Sequence, residues 1–212
     1  MNCCQIQGIE EWFDQPYVTK VLTRYRAQGP GKTTRMLIDA IKEADVAGQT
    51  LLDIGGGVGA IQHELLGAGL EYATDVEAST AYLAAARDEA QRRGLAEQVS
   101  YFQGNFVDLA AEIAPADIVT LDRVSCCYPD MEMLVGLSAM RARKLYGLVY
   151  PRDTWWMRIW MAIANFFYKL QRSNYRGFVH PSEAVEAILA RHGLKRRLYR
   201  QTLVWQVVVY TR

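Results

Sequence analysis

The side chains in this chain that could do chemistry stand just after short apolar runs. Asp53 closes the run Leu51-Leu52 and is followed within six residues by Gly55, Gly56, Gly57 and Gly59. Glycines in such a cluster bend a strand sharply into a helix and let the backbone approach a ligand, with helix N–H groups aimed at it. Asp75 ends the next apolar run, 20 residues after Gly55. That is the interval at which an acid on the neighbouring strand meets a pair of ribose hydroxyls. Asn105 follows a third run and Asp122 a fourth. The glycines alone would also suit a dinucleotide binder or a plain βα turn; the acids and the amide at successive strand ends narrow the choice to a nucleotide-like ligand.

These residues need a frame that puts strand ends on one rim. The runs Leu51–Asp53, Leu70–Val76, Val99–Gln103, Ala116–Leu121 and Leu145–Tyr150 alternate with helical patterns, notably the alanine-rich Ser79–Arg93 stopped by Gly94, and Met131–Lys144. The alternation predicts an α/β fold, a doubly wound, mainly parallel sheet, which binds ligands beyond the carboxyl ends of its strands. Upstream, Ile9–Ala27 has helical spacing broken near Pro16, and Thr33 or Thr34 is placed to cap a helix reaching Ala44. The intervening Gly31-Lys32-Thr33 resembles the tail of a nucleotide-triphosphate loop, but that loop needs a glycine where Arg26 stands, and a strand in front.

The chain has 212 residues, 50% hydrophobic and 22% charged, with a formal net charge of +1. A globular domain follows, without the basic field that captures nucleic acid. The basic runs Arg141–Lys144 and Lys195–Arg197 read as solvated edges, the first complementing a helix end. Four cysteines occur as Cys3-Cys4 and Cys126-Cys127. Neither spacing suits zinc or a secreted disulfide framework, so no metal is expected. With neither a signal-peptide pattern nor an apolar run long enough to span a bilayer, the expected setting is cytoplasmic.

Taken together, the motifs LLDIGGGVG (51–59), ATD (73–75), GNF (104–106) and ADIVTLD (116–122) resemble those of class I S-adenosylmethionine-dependent methyltransferases. The runs 195–203 and 204–210, after His192-Gly193-Leu194, resemble the antiparallel hairpin that ends the seven-stranded, Rossmann-like sheet of that family. The resemblance covers roughly Thr50 to Arg212, leaving residues 1–49 as an N-terminal helical arm. It implies S-adenosyl-L-methionine as cofactor. The glycine loop, with Asp53, Gly55, Gly57 and Gly59, would face its methionine and ribose, Asp75 with Val76 would hold the ribose, and Asn105 and Phe106 would flank the adenine beside Asp122. The segments 121–130, 150–156 and 178–181 further resemble small bacterial proteins likened to magnesium-protoporphyrin O-methyltransferase.

Methyl transfer from a sulfonium is an in-line displacement, so placement of the acceptor and exclusion of water carry much of the catalysis. A hydroxyl or amine acceptor wants a base, and Asp122, Tyr128 and His180 are the candidates; a carboxylate or thiolate needs none. His63 reads as a surface helix residue. Cys126 and Cys127 fall in the loop where this fold meets its acceptor, either as packed apolar residues or, with Cys3-Cys4, as a thiol site for a soft metalloid. The segment Thr154–Leu170, within an insertion at 152–178, is apolar except for the stripe Arg158, Asn165 and Lys169. An arc so wide must be covered: by internal packing, as a cap over an apolar acceptor with Trp155 and Trp156 on the substrate side, as a homodimer face, or at a membrane surface. The expected function is methylation of a small, apolar or aromatic acceptor, with carboxylate or hydroxyl oxygen favoured. A thiol or metalloid acceptor and a non-catalytic cofactor-binding interaction module are the alternatives.

Overall fold

The computed structural model describes residues 3–212, with side chains from residue 7 onward. Three helices come first: α1 (Cys3–Trp12), α2 (Gln15–Gln28) and α3 (Lys32–Lys42). Asp14 separates α1 from α2 by capping the latter, its carboxylate accepting from the Tyr17 amide at 2.9 Å. Pro16 sits in the first turn of α2, where its missing N–H costs nothing. The cap of α3 differs from expectation: Gly31 holds that position without a side-chain bond, and Thr34 is drawn away to a strand-end carboxylate.

The alternating part then runs β1 (Thr50–Ile54), α4 (Ala60–Leu66), β2 (Tyr72–Glu77), α5 (Thr80–Arg92), β3 (Val99–Gln103), α6 (Phe106–Leu109), β4 (Ala116–Asp122), α7 (Met131–Arg141) and β5 (Ala142–Pro151). After β5 come α8 (Trp155–Leu170), α9 (Ser182–Arg191), β6 (Lys195–Gln201) and β7 (Trp205–Thr211). The seven strands form one sheet in the order β3-β2-β1-β4-β5-β7-β6. The first five are parallel; β7 inserts antiparallel between β5 and β6. The expected terminal hairpin is therefore present. The chain order reverses between β1 and β4, and such a switch point opens a crevice at the carboxyl ends.

Alternation along the strands sorts the core onto two faces. Leu52, Ile54, Val208 and Tyr210 pack with α7 and α9, whereas Leu51, Val207 and Val209 pack with α3 and α4. Full burial of each such side chain is worth about 1.5–3 kcal/mol. At Gly147 in β5 the side chains of α3 press on the sheet: a Cβ there would lie 2.7 Å from Leu37 Cδ1. The arm is fixed at its other end by α2 on α5, where Val18 and Tyr25 pack with Ala85, and Arg26 donates to Glu89 at 2.8 Å. Glu89 is fully buried and also receives Arg92 and Arg93. The arm thus lies across the crevice as a wall.

Candidate active site

β1 delivers Asp53 to the end of the sheet and the chain then turns on three glycines in the left-handed region, Gly55, Gly57 and Gly59, with φ of 68°, 60° and 76°. Space as well as backbone conformation requires them. A Cβ on Gly55 would lie 2.5 Å from Val124 Cγ2, one on Gly56 2.6 Å from Asp75 Oδ1, and one on Gly59 2.6 Å from His63 Cε1. The turn is held open from the next strand: Gly57 N donates to Glu77 Oε2 at 3.0 Å, and Ser79 N to Glu77 Oε1 at 2.9 Å.

A cavity of about 690 Å³ opens between this turn and the arm. Asp53, Gly55, Gly57, Val76, Asn105, Phe106, Asp122, Cys126, Cys127 and Tyr128 all line it, so most residues singled out in the sequence converge. Gly59 stands just behind the wall as the N-cap of α4. Asp75 requires a correction. It is fully buried beneath Gly56, opposite Asp53 in the β1–β2 register, and is not part of the cavity wall; Glu77, two residues further on the same strand face, is. Strand β2 runs one residue past the predicted end at Val76, to Glu77, and the acid presented to the crevice moves with it. Side chains two apart on a strand share a face, so periodicity marks Asp75 and Glu77 alike and the strand's length decides between them.

Three carboxylates near one another and away from water have displaced ionisation. Burial pushes the Asp53 carboxyl up to about 7, against the hydrogen bonds it accepts from Thr120 at 2.6 Å and Gln62 at 3.3 Å. Burial, then the neighbouring charges of Asp53 and Glu77, raise Asp75 well above the carboxylate range. Neither Asp75 oxygen makes a hydrogen bond of good geometry among the described residues, though the Gln62 amide and the Gly56 backbone N–H lie near enough to oppose the rise. Glu77 is raised by burial too, with the Ser79 and Gly57 amides opposing.

The far side of the cavity is aromatic. Trp12, Phe13 and Tyr17 from the arm face Tyr82 from α5 and Tyr175, with Phe13 and Tyr82 ring centres 5.3 Å apart and Trp12 stacked on Tyr175 at 4.9 Å. Sequence reasoning missed these rings because no local spacing links residue 12 to residue 175. At the end of β4, Thr34 Oγ1 donates to Asp122 Oδ2 at 2.5 Å, and Arg123 Nε donates to Asp122 Oδ1 at 3.0 Å. Arg123 holds φ of 62°, a conformation uncommon outside glycine. Cys126 Sγ lies 3.7 Å from Cys127 Sγ, which is 3.0 Å from the Tyr175 hydroxyl. Their mutual contact raises the thiol of Cys126, assisted by burial, and lowers that of Cys127. The side chains of Cys3 and Cys4 lie outside the described residues, as does the four-cysteine site they would complete.

Other candidates stand elsewhere. His180 Nε2 is 2.9 Å from both Ser125 O and Tyr128 O, stapling the loop after β4 from behind rather than facing the cavity. Trp155 and Trp156 are not in the cavity wall; α8 approaches it through Tyr168, whose ring meets Trp12 at 4.9 Å and Tyr175 at 5.4 Å. Met157 is the buried residue of that helix, and most of its large apolar side chains are exposed. His63 is buried rather than on the surface, its ring stacked on Tyr25 and neither nitrogen bonded among the described residues. Burial lowers it to about 4.

Residues 52–139 match the family model described as a methyltransferase domain. Over 121 residues the chain is 28% identical to the ribosomal protein L11 methyltransferase of Serratia proteamaculans, a match that spans 54% of this chain and 41% of that relative. Among solved structures, magnesium protoporphyrin IX methyltransferase from Synechocystis, with bound SAH, superposes with a TM-score of 0.74 at 16% identity, covering 96% of this chain and 98% of that one. An O-methyltransferase family protein from Burkholderia thailandensis gives 0.67 at 18% identity, covering 94% and 60%.

Proposed function

We propose that this chain, which carries a methyltransferase domain in the class I methyltransferase fold, uses S-adenosyl-L-methionine to methylate a small, apolar or aromatic acceptor, at a carboxylate or hydroxyl oxygen. The observation that carries the reading is the pairing of two unlike walls in one cavity: the glycine turn with Glu77 on one side, the rings of Trp12, Phe13, Tyr17 and Tyr82 on the other.

The residues fit the cofactor. Each Glu77 oxygen accepts one backbone N–H and keeps lone-pair capacity for a further donor, which suits the two hydroxyls of a ribose. Asn105 caps α6 through Val107 N at 3.3 Å and lines the cavity with Phe106, as an adenine site needs. Gly57 carries no side chain where the methionine part would pass. When bound, the cofactor supplies an electrophilic methyl on a sulfonium. The chain's own task is to hold the acceptor in line with it and keep water out. Aromatic faces do both, and they also tolerate the sulfonium charge. For a hydroxyl acceptor, Asp122 is the carboxylate placed to take the proton, with Thr34 and Arg123 fixing its orientation; Tyr128 lines the same wall, and its phenol is raised by burial. A carboxylate acceptor would need no base and could be oriented by Arg123.

One observation favours a second reading. Cys126 and Cys127 both line the cavity, and their contact lowers the thiol of Cys127, which suits a soft acceptor such as a thiol-bound metalloid. Turnover against a panel of carboxylate, phenol, thiol and metalloid acceptors decides between them. Product from oxygen acceptors supports the main reading, and product confined to thiol or metalloid acceptors replaces it. Intact cofactor binding with no product across the panel would instead favour a cofactor-binding interaction module.

A further inference from the structure

The exposed face of α8 is left over when the cavity is accounted for. At about 100° per residue, Trp155, Trp160, Ile163, Phe166, Phe167 and Leu170 fall within an arc of roughly 140°. Each is more than half exposed. The opposite side of the helix is seated on the protein through Met157 and through Tyr168, whose ring meets Trp12 edge-on at 4.9 Å. Soluble surfaces rarely leave so many large apolar side chains contiguous and uncovered.

Charge identifies what covers them. From Thr154 to Gly177 the chain has four basic residues, Arg158, Lys169, Arg172 and Arg176, and no acid. Arg158 and Lys169 flank one margin of the apolar arc, and Arg172 follows in the turn after the helix. Arg158 is answered by Asp153 at 2.6 Å, while no ion pair is formed by Lys169 or Arg172 among the described residues. A second copy docked face to face would bring these cationic margins together with no acid in the segment to meet them. An anionic lipid surface meets both requirements: acyl chains accept the rings, and headgroups accept the flanking cations. Tryptophan at the headgroup level is the usual anchor there.

We infer that α8 is an interfacial helix that seats the protein on a bilayer surface carrying anionic headgroups, with Trp160 and Phe166 in the lipid and Lys169 and Arg172 at the headgroups. None of the described helices is long and apolar enough to cross a membrane, so the contact is in the plane of the surface. The seat has a consequence for the reaction read above. Trp12 joins Tyr168 of α8 to Tyr175 of the cavity wall, so the lipid-facing helix and the acceptor wall are one aromatic stack, and an apolar acceptor dissolved in the bilayer would arrive beside its site.

Vesicle flotation tests the docking apart from methyl transfer. Vesicles of phosphatidylcholine alone and with phosphatidylglycerol are floated with wild type, with Trp160→Glu/Phe166→Glu, and with Lys169→Glu/Arg172→Glu. Binding of S-adenosylhomocysteine and thermal unfolding serve as folding controls. Wild type is expected to float with the anionic vesicles, less so in high salt. The double-glutamate change in the apolar arc is expected to weaken binding at least tenfold, and each charge reversal about fivefold. If wild type stays with the buffer, or either folded variant floats like wild type, the inference is overturned. It is equally overturned if wild type sediments as a dimer that Trp160→Glu/Phe166→Glu splits, with no flotation. The surface charge pair keeps the test open should the aromatic variant fail to fold. Loss of S-adenosylhomocysteine binding in wild type would count against the cofactor reading and leave the flotation result to stand by itself.

Discussion

Glu77→Gln and Asp75→Asn, measured side by side, separate two carboxylates on the same strand face. The Glu77 carboxylate is buried, accepts the Gly57 and Ser79 amides, and lines the cavity. Replacing it with an amide of the same shape turns one acceptor oxygen into a donor. That donor must face either a backbone N–H at about 3 Å or a ribose hydroxyl, and the charge behind the remaining bonds is gone. Hydrogen bonds to a charged group contribute roughly 1.5–3 kcal/mol each, and a buried donor left unmatched costs a similar amount. A loss of about 2–4 kcal/mol follows, or about 30- to 700-fold in affinity. Asp75 sits under the turn, where burial and the neighbouring charges of Asp53 and Glu77 push its ionisation well above the carboxylate range and disfavour its charged form. Asparagine replaces it with little electrostatic change, and cofactor affinity should stay within about threefold. Isothermal calorimetry with S-adenosylmethionine and S-adenosylhomocysteine, with thermal unfolding to confirm that each variant is folded, reads both. A larger loss in Asp75→Asn than in Glu77→Gln would refute the assignment of the ribose contact to Glu77.

Four further outcomes are expected. His63 is neutral when folded, with its value lowered to about 4, against about 6.5 unfolded, so the unfolded chain binds the extra proton between those values; wild type should therefore lose up to about 3 kcal/mol as pH falls from about 6.5 to 4, and chemical unfolding of His63→Gln across that range should show a smaller loss. Gly55→Ala forces a left-handed alanine whose Cβ meets Val124 at 2.5 Å, and should cost about 2 kcal/mol, seen as a melting temperature lower by about 4–8 °C. Glu89→Gln removes the shared partner of Arg26, Arg92 and Arg93, which are partly exposed and regain water; a loss of about 1–2 kcal/mol in urea unfolding is expected, and no change would mean the cluster does not secure the arm. Cys127→Ser should leave S-adenosylhomocysteine affinity unaltered and, if thiol or metalloid acceptors are used, abolish their turnover; unchanged turnover removes the thiols from the chemistry.

Much of the frame could be read from residue order. The five parallel strands and the glycine turn follow from local apolar runs and turn residues, which are short-range signals, and the closing hairpin from the resemblance of the last two runs to the methyltransferase pattern. What escaped depends on lengths and distant contacts. The end of β2 at Glu77 rather than near Asp75 changes which acid reaches the cavity, yet both residues share a face, so periodicity alone could not choose. The basic run 141–144 belongs partly to β5, which begins at Ala142, because pairing with β4 outweighs the helical tendency of those residues. His63 carries a polar type in an apolar place, and its burial comes from Tyr25 and Gly59 meeting there through tertiary packing. The aromatic wall joins residues 12, 13, 17, 82 and 175, which no window of sequence contains. The apolar arc of α8 was visible; that the protein leaves it uncovered was not.

The central claim is that the cavity between the glycine turn and the arm holds S-adenosylmethionine. Titration of the folded wild-type chain with S-adenosylhomocysteine in a calorimeter tests it most directly. Saturable binding at one site per chain is expected, with a stabilisation of about 2.7 kcal/mol when the ligand stands at about a hundred times its dissociation constant. A folded chain that gives no binding heat and no such stabilisation with either form of the cofactor would contradict it.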